Sequence, residues 1–386
     1  MFTFSLKSLV VYFVVLLATI PNSVSTSFVV DFNGRLNLKT GDVSESLFVA
    51  ERSRAEERAS IDRLLRSLEN ASFAVAELPG ETFWATQLLQ LQTCLKETPE
   101  FFLQCHVIRF LMVIYNEAVM NPQYKWLVEH YFRNGDDLKV KWLSHALQES
   151  DVGKPDFVFI EHQHVKAGGD ILHVKFTTSM NLIYMTYHLA RFQRKTDTDI
   201  SDMDLIVEFG GGFGAFCRLA FRQGFQGKYV IHDLEPFSIL QKHYLTMVGL
   251  PVRNNDDWEK YSTGVWTTHT IKDLVRFKLA MPSSVDSKKS LLVAMYSMSE
   301  VPPAIREAFL ATGPGQFGNY LFAFQPIWKL QDNLSWFVNF AFLHRVELAW
   351  SSWIDQGRDN RILVGSWKNA GALEDEGSKN IYLKLK

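Results

Sequence analysis

The sequence has 386 residues, of which 47% are hydrophobic, so the chain can bury a large core and is not intrinsically disordered. Its 40 Lys and Arg residues nearly balance its 42 Asp and Glu residues. This balance gives no basic field of the kind that attracts nucleic acid, and we expect no nucleic-acid partner.

The first 25 residues predict a signal peptide. A lone Lys7 precedes an apolar run from Leu9 to Ile20, and Ser23-Val24-Ser25 forms a plausible cleavage site. The run is shorter than the roughly 20 residues of a spanning helix, which favours cleavage over a retained N-terminal anchor. We therefore expect a protein of the secretory lumen or a secreted protein, with membrane contact only if the segment is retained.

Cysteines and sequons agree with that location. Cys94 and Cys105 are close enough in sequence to form a disulfide, although one helix could also carry both as core residues. Cys217 is expected to be a small buried apolar residue. Asn70-Ala71-Ser72 and Asn333-Leu334-Ser335 are glycosylation sequons and predict a glycoprotein.

Residues 26–195 are expected to form a mostly helical N-terminal region. Helix-period apolar residues run through 82–95 and 124–147, with a break at Asn134-Gly135. Two β-rich runs around 156–176 predict a hairpin. Its three histidines lack an acidic or cysteine partner at suitable spacing, so we expect no metal site; they are His162, His164 and His173.

Strands alternate with helices in the last region, residues 196–386. The expected strands are 205–209, 229–232, 291–296, 320–324, 345–350 and 361–367, and the expected helices are 213–223, 236–248, 271–278 and 302–310. The pattern predicts an α/β fold with a Rossmann-like, doubly wound and mainly parallel sheet that ends in an antiparallel pair. A ligand crevice should lie at the carboxyl ends of the strands.

A glycine loop follows the first of these strands. Gly210, Gly212 and Gly214 permit a tight turn into a helix and leave room for a ligand at the backbone. With Ala215 the run also matches G-x-G-x-x-A, a form used by dinucleotide-binding dehydrogenases. The glycines alone do not distinguish a site for a dinucleotide such as NAD from a site for S-adenosylmethionine.

Two acidic residues flank the loop. Glu208 ends the preceding strand, where a carboxylate would repel the pyrophosphate of NAD and attract the cationic groups of S-adenosylmethionine. Asp233 ends the next strand, where an acid holds ribose hydroxyls, and Leu234 could pack on adenine. The charge of Glu208 favours the methyl donor.

A family resemblance rests on these segments together. The run 208–214, then 228–236 and 241–245, resembles class I S-adenosylmethionine-dependent methyltransferases, and in particular a family of sugar O-methyltransferases. Tyr296-Ser297-Met298-Ser299-Glu300 and Gln325-Pro326 resemble that family's motifs after the fourth and fifth strands. The resemblance covers 156–367 and implies S-adenosylmethionine as cofactor; it also implies that Glu208, Gly210, Gly212, Gly214 and Asp233 contact it.

Methyl transfer to a hydroxyl needs an oriented acceptor and benefits from a base that takes the proton. Glu300 follows the fourth strand of this region and is the leading base candidate, although it could equally serve the start of the next helix. Ser297 and Ser299 could orient the acceptor. His232 and His243 are weaker base candidates.

The sequence thus predicts an S-adenosylmethionine-dependent O-methyltransferase that acts on a hydroxyl of a sugar, glycan or small glycoside. One alternative is an NAD(P)-dependent oxidoreductase or epimerase, which Glu208 and the absence of a Tyr-x-x-x-Lys pair disfavour. The other alternative is a cofactor-binding protein without catalysis.

Overall fold

The structure is a computed structural model that describes residues 27–30, 36–39, 54–70, 82–108, 123–133, 135–165, 169, 171–279, 287–312, 317–328, 330–343, 349–355 and 358–366. The expected signal segment, residues 1–25, lies outside these ranges. Within them, no helix combines the length and apolar character needed to cross a membrane.

The N-terminal region begins with two helices and a covalent cross-link. Helix α1 spans Arg54–Asn70 and α2 spans Thr82–Glu97, and a 3-10 turn follows at Pro99–Gln104. Cys94 and Cys105 form a disulfide with their Cα atoms 5.8 Å apart, which confirms the predicted pairing.

The predicted break near Asn134-Gly135 separates a π-helical turn, Val128–Arg133, from helix α3, Asp137–Leu147. Asp136 caps α3, because its side chain accepts a hydrogen bond from the Lys139 amide at 2.9 Å.

A four-stranded sheet stands beside these helices. Its strands are β1 (Ser27–Val30), β2 (Leu36–Lys39), β3 (Val158–Val165) and β4 (Ile171–Thr178), in the order β2-β1-β3-β4. The antiparallel pair β3 and β4 confirms the predicted hairpin. The expectation of a mostly helical region missed the other two strands, because β1 pairs with β3 across more than a hundred residues of sequence. Histidines 162, 164 and 173 lie on β3 and β4, and their side chains are outside the described part.

Helix α4 (Met180–Thr196) leads into the second region. Its elements in chain order are β5 (Leu205–Phe209), α5 (Ala215–Arg222), β6 (Lys228–His232), α6 (Glu235–Met247), β7 (Gly264–Thr268), α7 (Ile271–Leu279), β8 (Ser290–Met295), α8 (Ser297–Glu300), α9 (Pro303–Thr312), β9 (Asn319–Phe324), β10 (Ile327–Trp328), β11 (Gln331–Asp332), α10 (Asn333–Leu343), β12 (Ala349–Asp355) and β13 (Arg358–Ser366).

The second sheet has the strand order β12-β13-β9-β8-β5-β6-β7. Strands β5 to β9 run parallel, and β13 lies antiparallel to both β9 and β12. This order confirms the predicted Rossmann-like, doubly wound and mainly parallel sheet with its antiparallel pair; β7 and α10 were not predicted. The chain winds outward in both directions from β5, so the switch point, and with it the crevice, lies between β5 and β8.

Apolar side chains cover both faces of this sheet. Leu205 and Val207 belong to one buried cluster, whereas Ile206 belongs to the other, which also takes in the helices of the N-terminal region. Every residue of β5 is buried. Because both faces are packed, the loops at the carboxyl edge stand on a rigid scaffold.

Candidate functional site

The glycine loop joins β5 to α5 at the carboxyl edge of the sheet. The amide of Gly210 donates to the carbonyl of His232 at 2.8 Å, which ties the loop to the end of β6. The amide of Gly214 donates to the carbonyl of Gly211 at 2.9 Å, and α5 begins at the next residue. The loop from β5 to α5 is thereby closed by its own hydrogen bond and held to the end of the neighbouring strand β6.

The three predicted glycines serve different purposes. Gly210 has φ +70°, and a Cβ there would lie 2.2 Å from Cβ of Ser297. At Gly214, with φ +100°, a Cβ would meet Leu245 at 3.0 Å. Gly212 has φ +57°, and no atom lies within 4 Å of the place its Cβ would take. Gly210 and Gly214 are therefore required by packing, and Gly212 presents open backbone to the crevice.

Asp233 locks the loop in place. Its Oδ2 accepts a hydrogen bond from the Gly212 amide at 3.0 Å, and its Oδ1 accepts one from the Leu234 amide at 2.8 Å. Gln241 donates through Nε2 to Asp233 Oδ2 and to the carbonyl of Gly212, both at 2.8 Å. We did not predict a role for Gln241. The available signal was a polar residue on the apolar face of α6, where it is fully buried.

Asp233 still reaches the crevice. The side chain is half-buried, and burial raises its pKa to about 7 although the hydrogen bonds from Leu234, Gly212 and Gln241 oppose the rise. A carboxylate has four lone-pair sites, and these three donors take three of them, so at most one site remains for a ligand hydroxyl. Leu234 is also half-buried beside it.

Glu208 differs from its expected state. It is only 1% exposed, and its Oε2 accepts a hydrogen bond from the hydroxyl of Tyr229 at 2.8 Å. Burial raises its pKa to about 8; the Tyr229 bond lowers it and the charge of Asp233 raises it further. The loop closes over it, since a Cβ on Gly211 would lie 2.9 Å from Glu208 Oε2. A pKa raised to about 8 favours the protonated carboxyl of Glu208 at neutral pH, whereas the expectation from the sequence assumed a standing negative charge there.

The second wall of the crevice follows β8. Tyr296, directly after the strand, has a left-handed φ of +66°, and α8 begins at Ser297. The hydroxyl of Ser297 donates to the carbonyl of Phe209 at the end of β5. Ser297 is half-buried, and it lies against Gly210. The structure thus brings Ser297 and the glycine loop together across the switch point.

Ser299 lies behind this wall. Its side chain is fully buried, and its hydroxyl is placed between the carbonyl of Tyr296, at 2.6 Å, and the side chain of Gln325. The expectation that Ser299 touches an acceptor is therefore corrected: the hydroxyl is enclosed and connects the loop after β8 to the loop after β9.

Arg306 on α9 strengthens the same connection. Its guanidinium is fully buried and donates to Asn333 Oδ1 at 2.5 Å, to Gln331 Oε1 at 2.9 Å and to the carbonyl of Val301 at 3.0 Å. Burial lowers its pKa to about 10. Among the described residues, no carboxylate forms an ion pair with it; carbonyl and amide oxygens and the ring of Trp336, 4.9 Å away, stabilise the buried cation.

Asn333 completes the network, because its Nδ2 donates to the carbonyls of Ser299 at 3.0 Å and Gln325 at 2.9 Å. The side chain is fully buried. The prediction of a glycan at this sequon is therefore wrong for the folded chain. Asn70 is the last residue of α1, and its side chain lies outside the described part.

Glu300, the base candidate, ends the short helix α8. It is 7% exposed, and it already takes part in an interaction within the chain. The weaker candidates are both neutral: burial lowers the pKa of His232 to about 4 and that of His243 to about 4. His243 is hydrogen-bonded to Ser60 at 3.0 Å, which gives it a structural place between α1 and α6.

In the part of the chain that the structure describes, no group of three His, Cys, Asp or Glu side chains is placed to hold a metal ion. The polar groups of the crevice instead suit an organic ligand with hydroxyl or cationic groups: they are the half-buried carboxylate of Asp233, the backbone at Gly212 and the buried carboxyl of Glu208.

No protein-family model and no curated protein matches this sequence. Solved methyltransferase structures give distant matches. The magnesium protoporphyrin IX methyltransferase ChlM from Synechocystis PCC 6803, with bound SAM, is 11% identical, with 47% of this chain and 76% of that chain covered and a TM-score of 0.31. The N-terminal domain of human METTL16, in complex with SAH, is 11% identical, with 48% and 69% covered and a TM-score of 0.31. The 16S rRNA methylase ArmA is 15% identical, with 48% and 85% covered and a TM-score of 0.28. Likeness of this degree carries no argument about ligand or reaction.

Proposed function

We propose that this protein is an S-adenosylmethionine-dependent O-methyltransferase that acts on a hydroxyl of a sugar, glycan or small glycoside. The observation that carries the cofactor assignment is the hydrogen bond of 3.0 Å from the Gly212 amide to Asp233 Oδ2. It occupies the amide of the one predicted loop glycine whose Cβ position faces open space.

This bond argues against a dinucleotide. A dinucleotide places its pyrophosphate on the free amides of the glycine loop and the helix start. Here a carboxylate already holds the Gly212 amide, and the carboxyl of Glu208 lies under the same loop. Strand β13 also enters the sheet antiparallel between β9 and β12, which departs from the order of the dinucleotide-binding fold.

The same groups suit the methyl donor. Asp233 stands at the edge of the crevice as the acid for a ribose hydroxyl, and Leu234 stands beside it for the adenine. A ligand with ammonium and sulfonium charges stabilises the ionised forms of Glu208 and Asp233, whose pKa values lie at about 8 and about 7 without it. Bound there, S-adenosylmethionine supplies an activated methyl group.

In the proposed reaction, the acceptor oxygen bonds to the methyl carbon as the carbon–sulfur bond breaks, and the hydroxyl proton leaves to a base. The products are a methyl ether and S-adenosylhomocysteine. Ser297 orients the acceptor from its place against the loop, and Glu300 is the base that we propose. Most of the rate enhancement comes from alignment of the acceptor with the methyl group.

Replacement of Glu300 tests the base. Glu300→Gln should lower turnover by about a hundredfold or more and leave donor affinity unchanged. Glu307→Gln, an exposed glutamate on α9, is the matched control. Unchanged turnover in Glu300→Gln would remove the base assignment and leave the cofactor assignment intact.

Calorimetry tests the cofactor. The purified chain should bind S-adenosylmethionine and S-adenosylhomocysteine and give no heat with NAD. Asp233→Ala should abolish the binding, and Asp202→Ala, an exposed aspartate before β5, should preserve it. Tight NAD binding with no response to the methyl donor contradicts the proposal.

The sugar acceptor rests on the sequence resemblance of 296–300 and 325–326, and the exclusion of nucleic acid rests on the net charge of -2. Transfer of a deuterated methyl group tests both, with neutral glycosides, acidic glycans, single-stranded RNA and proteins offered side by side. If the deuterated methyl group appears only in RNA or only in protein, the sugar proposal is contradicted. If the chain binds the donor but transfers no methyl group to any acceptor, a non-catalytic protein is favoured.

We also propose that the chain resides in the secretory pathway. The disulfide between Cys94 and Cys105 supports this, because such bonds persist in oxidising compartments. The donor is made in the cytosol, so a luminal enzyme requires its import. Protease protection in sealed vesicles is the test: complete digestion contradicts luminal residence.

A further inference from the structure

A cavity lies away from the glycine loop, between helix α3 and strand β4. Its volume is about 570 Å³, within the range of roughly 300–1,000 Å³ that small-molecule sites occupy. The residues that line it are Leu138, Lys141, Trp142, Ser144, His145, Gln148, Lys175, Phe176 and Thr177. None of them contributes to the crevice at the switch point, so this groove is a separate feature.

The groove is basic. Lys141 on α3 and Lys175 on β4 stand on its two walls, and both residues are exposed. No lining residue is acidic. Behind the groove, Arg222 donates to the carbonyl of Gln148 and therefore adds its charge to the same side. In a chain with a net charge of -2, this is a local concentration of positive charge.

The pKa of His145 is lowered in part by positive charges around the groove. Partial burial lowers its pKa, and the charges of Arg222, Lys141 and Arg218 lower it further, against a hydrogen bond to the Arg222 backbone. Three cations, of which Arg218 is itself paired with the buried carboxylate of Glu149, therefore act on one exposed imidazole.

Aromatic and polar side chains also line the groove. Trp142 is half-buried and stacks on Tyr131 with ring centres 4.9 Å apart, so its position is fixed from behind. The ring of Phe176, on β4, is buried in the opposite wall. The side-chain nitrogen of Gln148 donates no hydrogen bond within the described chain, whereas its Oε1 accepts one from Arg222 at 3.2 Å. Gln148 therefore has a donor to offer.

We propose that this groove binds an acidic saccharide, meaning a sugar unit that carries a carboxylate or sulfate group. The C–H face of a sugar ring packs on an accessible aromatic ring, which the half-buried Trp142 offers here, and its hydroxyls need donors such as Gln148. The acidic group pairs with Lys141, assisted by the charges around His145. The proposal requires neither the donor nor the reaction of the crevice, and it goes beyond the proposed function.

The groove suits a nucleotide less well. Adjacent phosphates bind where several free amides or cations converge, as at an open helix start. The start of α3 beside the groove is closed by Asp136, which accepts the Lys139 amide at 2.9 Å, and Asp137 adds a second acid. The two lining lysines are moreover divided between opposite walls.

Calorimetry on the full chain tests the proposal with four probes: a glucuronate-containing disaccharide, its sulfated form, lactose and ADP. The acidic disaccharides should bind, and lactose should bind about tenfold more weakly or not at all. An increase in salt to about 0.5 M should weaken the acidic probes, because exposed charges are screened. Equal affinity for lactose, tighter binding of ADP, or no binding of the acidic probes would overturn the proposal.

Two lysine variants locate the binding. Lys141→Gln should weaken the acidic probes about tenfold. Lys242→Gln, an exposed lysine on α6 outside the groove, should leave their affinity unchanged. Both residues are exposed, so neither change should impair folding, and donor affinity at the crevice should be unaffected in both. Equal losses in the two variants would place the saccharide elsewhere and overturn the proposal.

Discussion

The hydroxyl of Tyr229 donates a hydrogen bond of 2.8 Å to Glu208, and the two side chains are buried together beneath the glycine loop. Burial raises the pKa of both groups and favours the protonated carboxyl of Glu208 near neutral pH. With the proposed cationic donor bound, the protonation of this one group would link ligand binding, stability and pH.

Glu208→Gln should change how stability depends on pH. The pKa of Glu208 is about 8 in the folded chain and near 4.5 when unfolded, so between these values the folded state binds more protons. The stability contributed by this group is full below the unfolded pKa and is lost as pH rises through the folded pKa. The variant should therefore gain stability over the natural chain at about pH 8.5 but not at about pH 5. Urea denaturation at both pH values measures this, and Glu307→Gln, exposed on α9, should show no such difference.

Affinity for the methyl donor should rise between about pH 6 and pH 8, because the cationic ligand prefers the ionised forms of Glu208 and Asp233. S-adenosylhomocysteine lacks the sulfonium charge and should show a flatter dependence. Calorimetry in buffers of different ionisation enthalpy should detect proton release when the donor binds. Equal pH slopes for the two ligands would contradict the coupling.

Gln241→Met should weaken donor binding about tenfold and leave the chain folded, because it removes a hydrogen bond to the Asp233 carboxylate and one to the Gly212 carbonyl. Gln226→Met, at an exposed position before β6, is the matched control. Equilibrium binding of the donor measures both. If Gln241→Met bound the donor as tightly as Gln226→Met, Gln241 would have no part in holding the loop.

Alanine at two loop glycines should separate packing from binding. Gly210→Ala should destabilise the fold, because its Cβ would lie 2.2 Å from Cβ of Ser297. At Gly212 the space is open, so the alanine variant should fold with only the cost of a left-handed residue, about 1 kcal/mol, and lose donor binding. Thermal melts and calorimetry of both variants give the comparison. Full donor binding by Gly212→Ala would contradict the open-face assignment.

Glu149→Gln should lower the free energy of unfolding by about 3 kcal/mol, because it leaves the buried Arg218 without its charge partner. The two side chains meet at 2.5 Å and are 6% and 7% exposed. The pair joins the N-terminal region to α5. Arg276→Gln breaks the exposed pair with Asp256 and should change stability little. Denaturant unfolding measures the stability of both variants. Equal losses of stability would contradict the difference expected between the buried and the exposed ion pair.

Much of this site could be read from the sequence where local signals were strong. The apolar run of β5, the glycines after it and Asp233 after β6 have fixed spacing, so the loop and its acid were predicted and the structure joins them at 3.0 Å. Strand β7 was missed because Gly264-Val265-Trp266-Thr267-Thr268 is short and has no alternation; only pairing with β6 defines it.

Interactions between distant residues were not predictable from local pattern. Nothing in the spacing of Glu208 and Tyr229 shows that burial raises the pKa of the acid, which depends on the helices packed over the sheet. Ser299 was expected in the crevice because it follows β8, but the one-turn helix α8 places it inward, against Gln325.

If the chain folds in the secretory pathway, as proposed, the enclosure of Asn333 makes glycosylation and folding compete in time. Oligosaccharide transfer acts on an extended, exposed sequon, whereas the native Asn333 amide lies inside, between the carbonyls of Ser299 and Gln325. A chain modified there in the lumen could not form the junction that Arg306 holds together. The yield of native protein in the secretory pathway would then depend on how quickly the segment after β9 is buried.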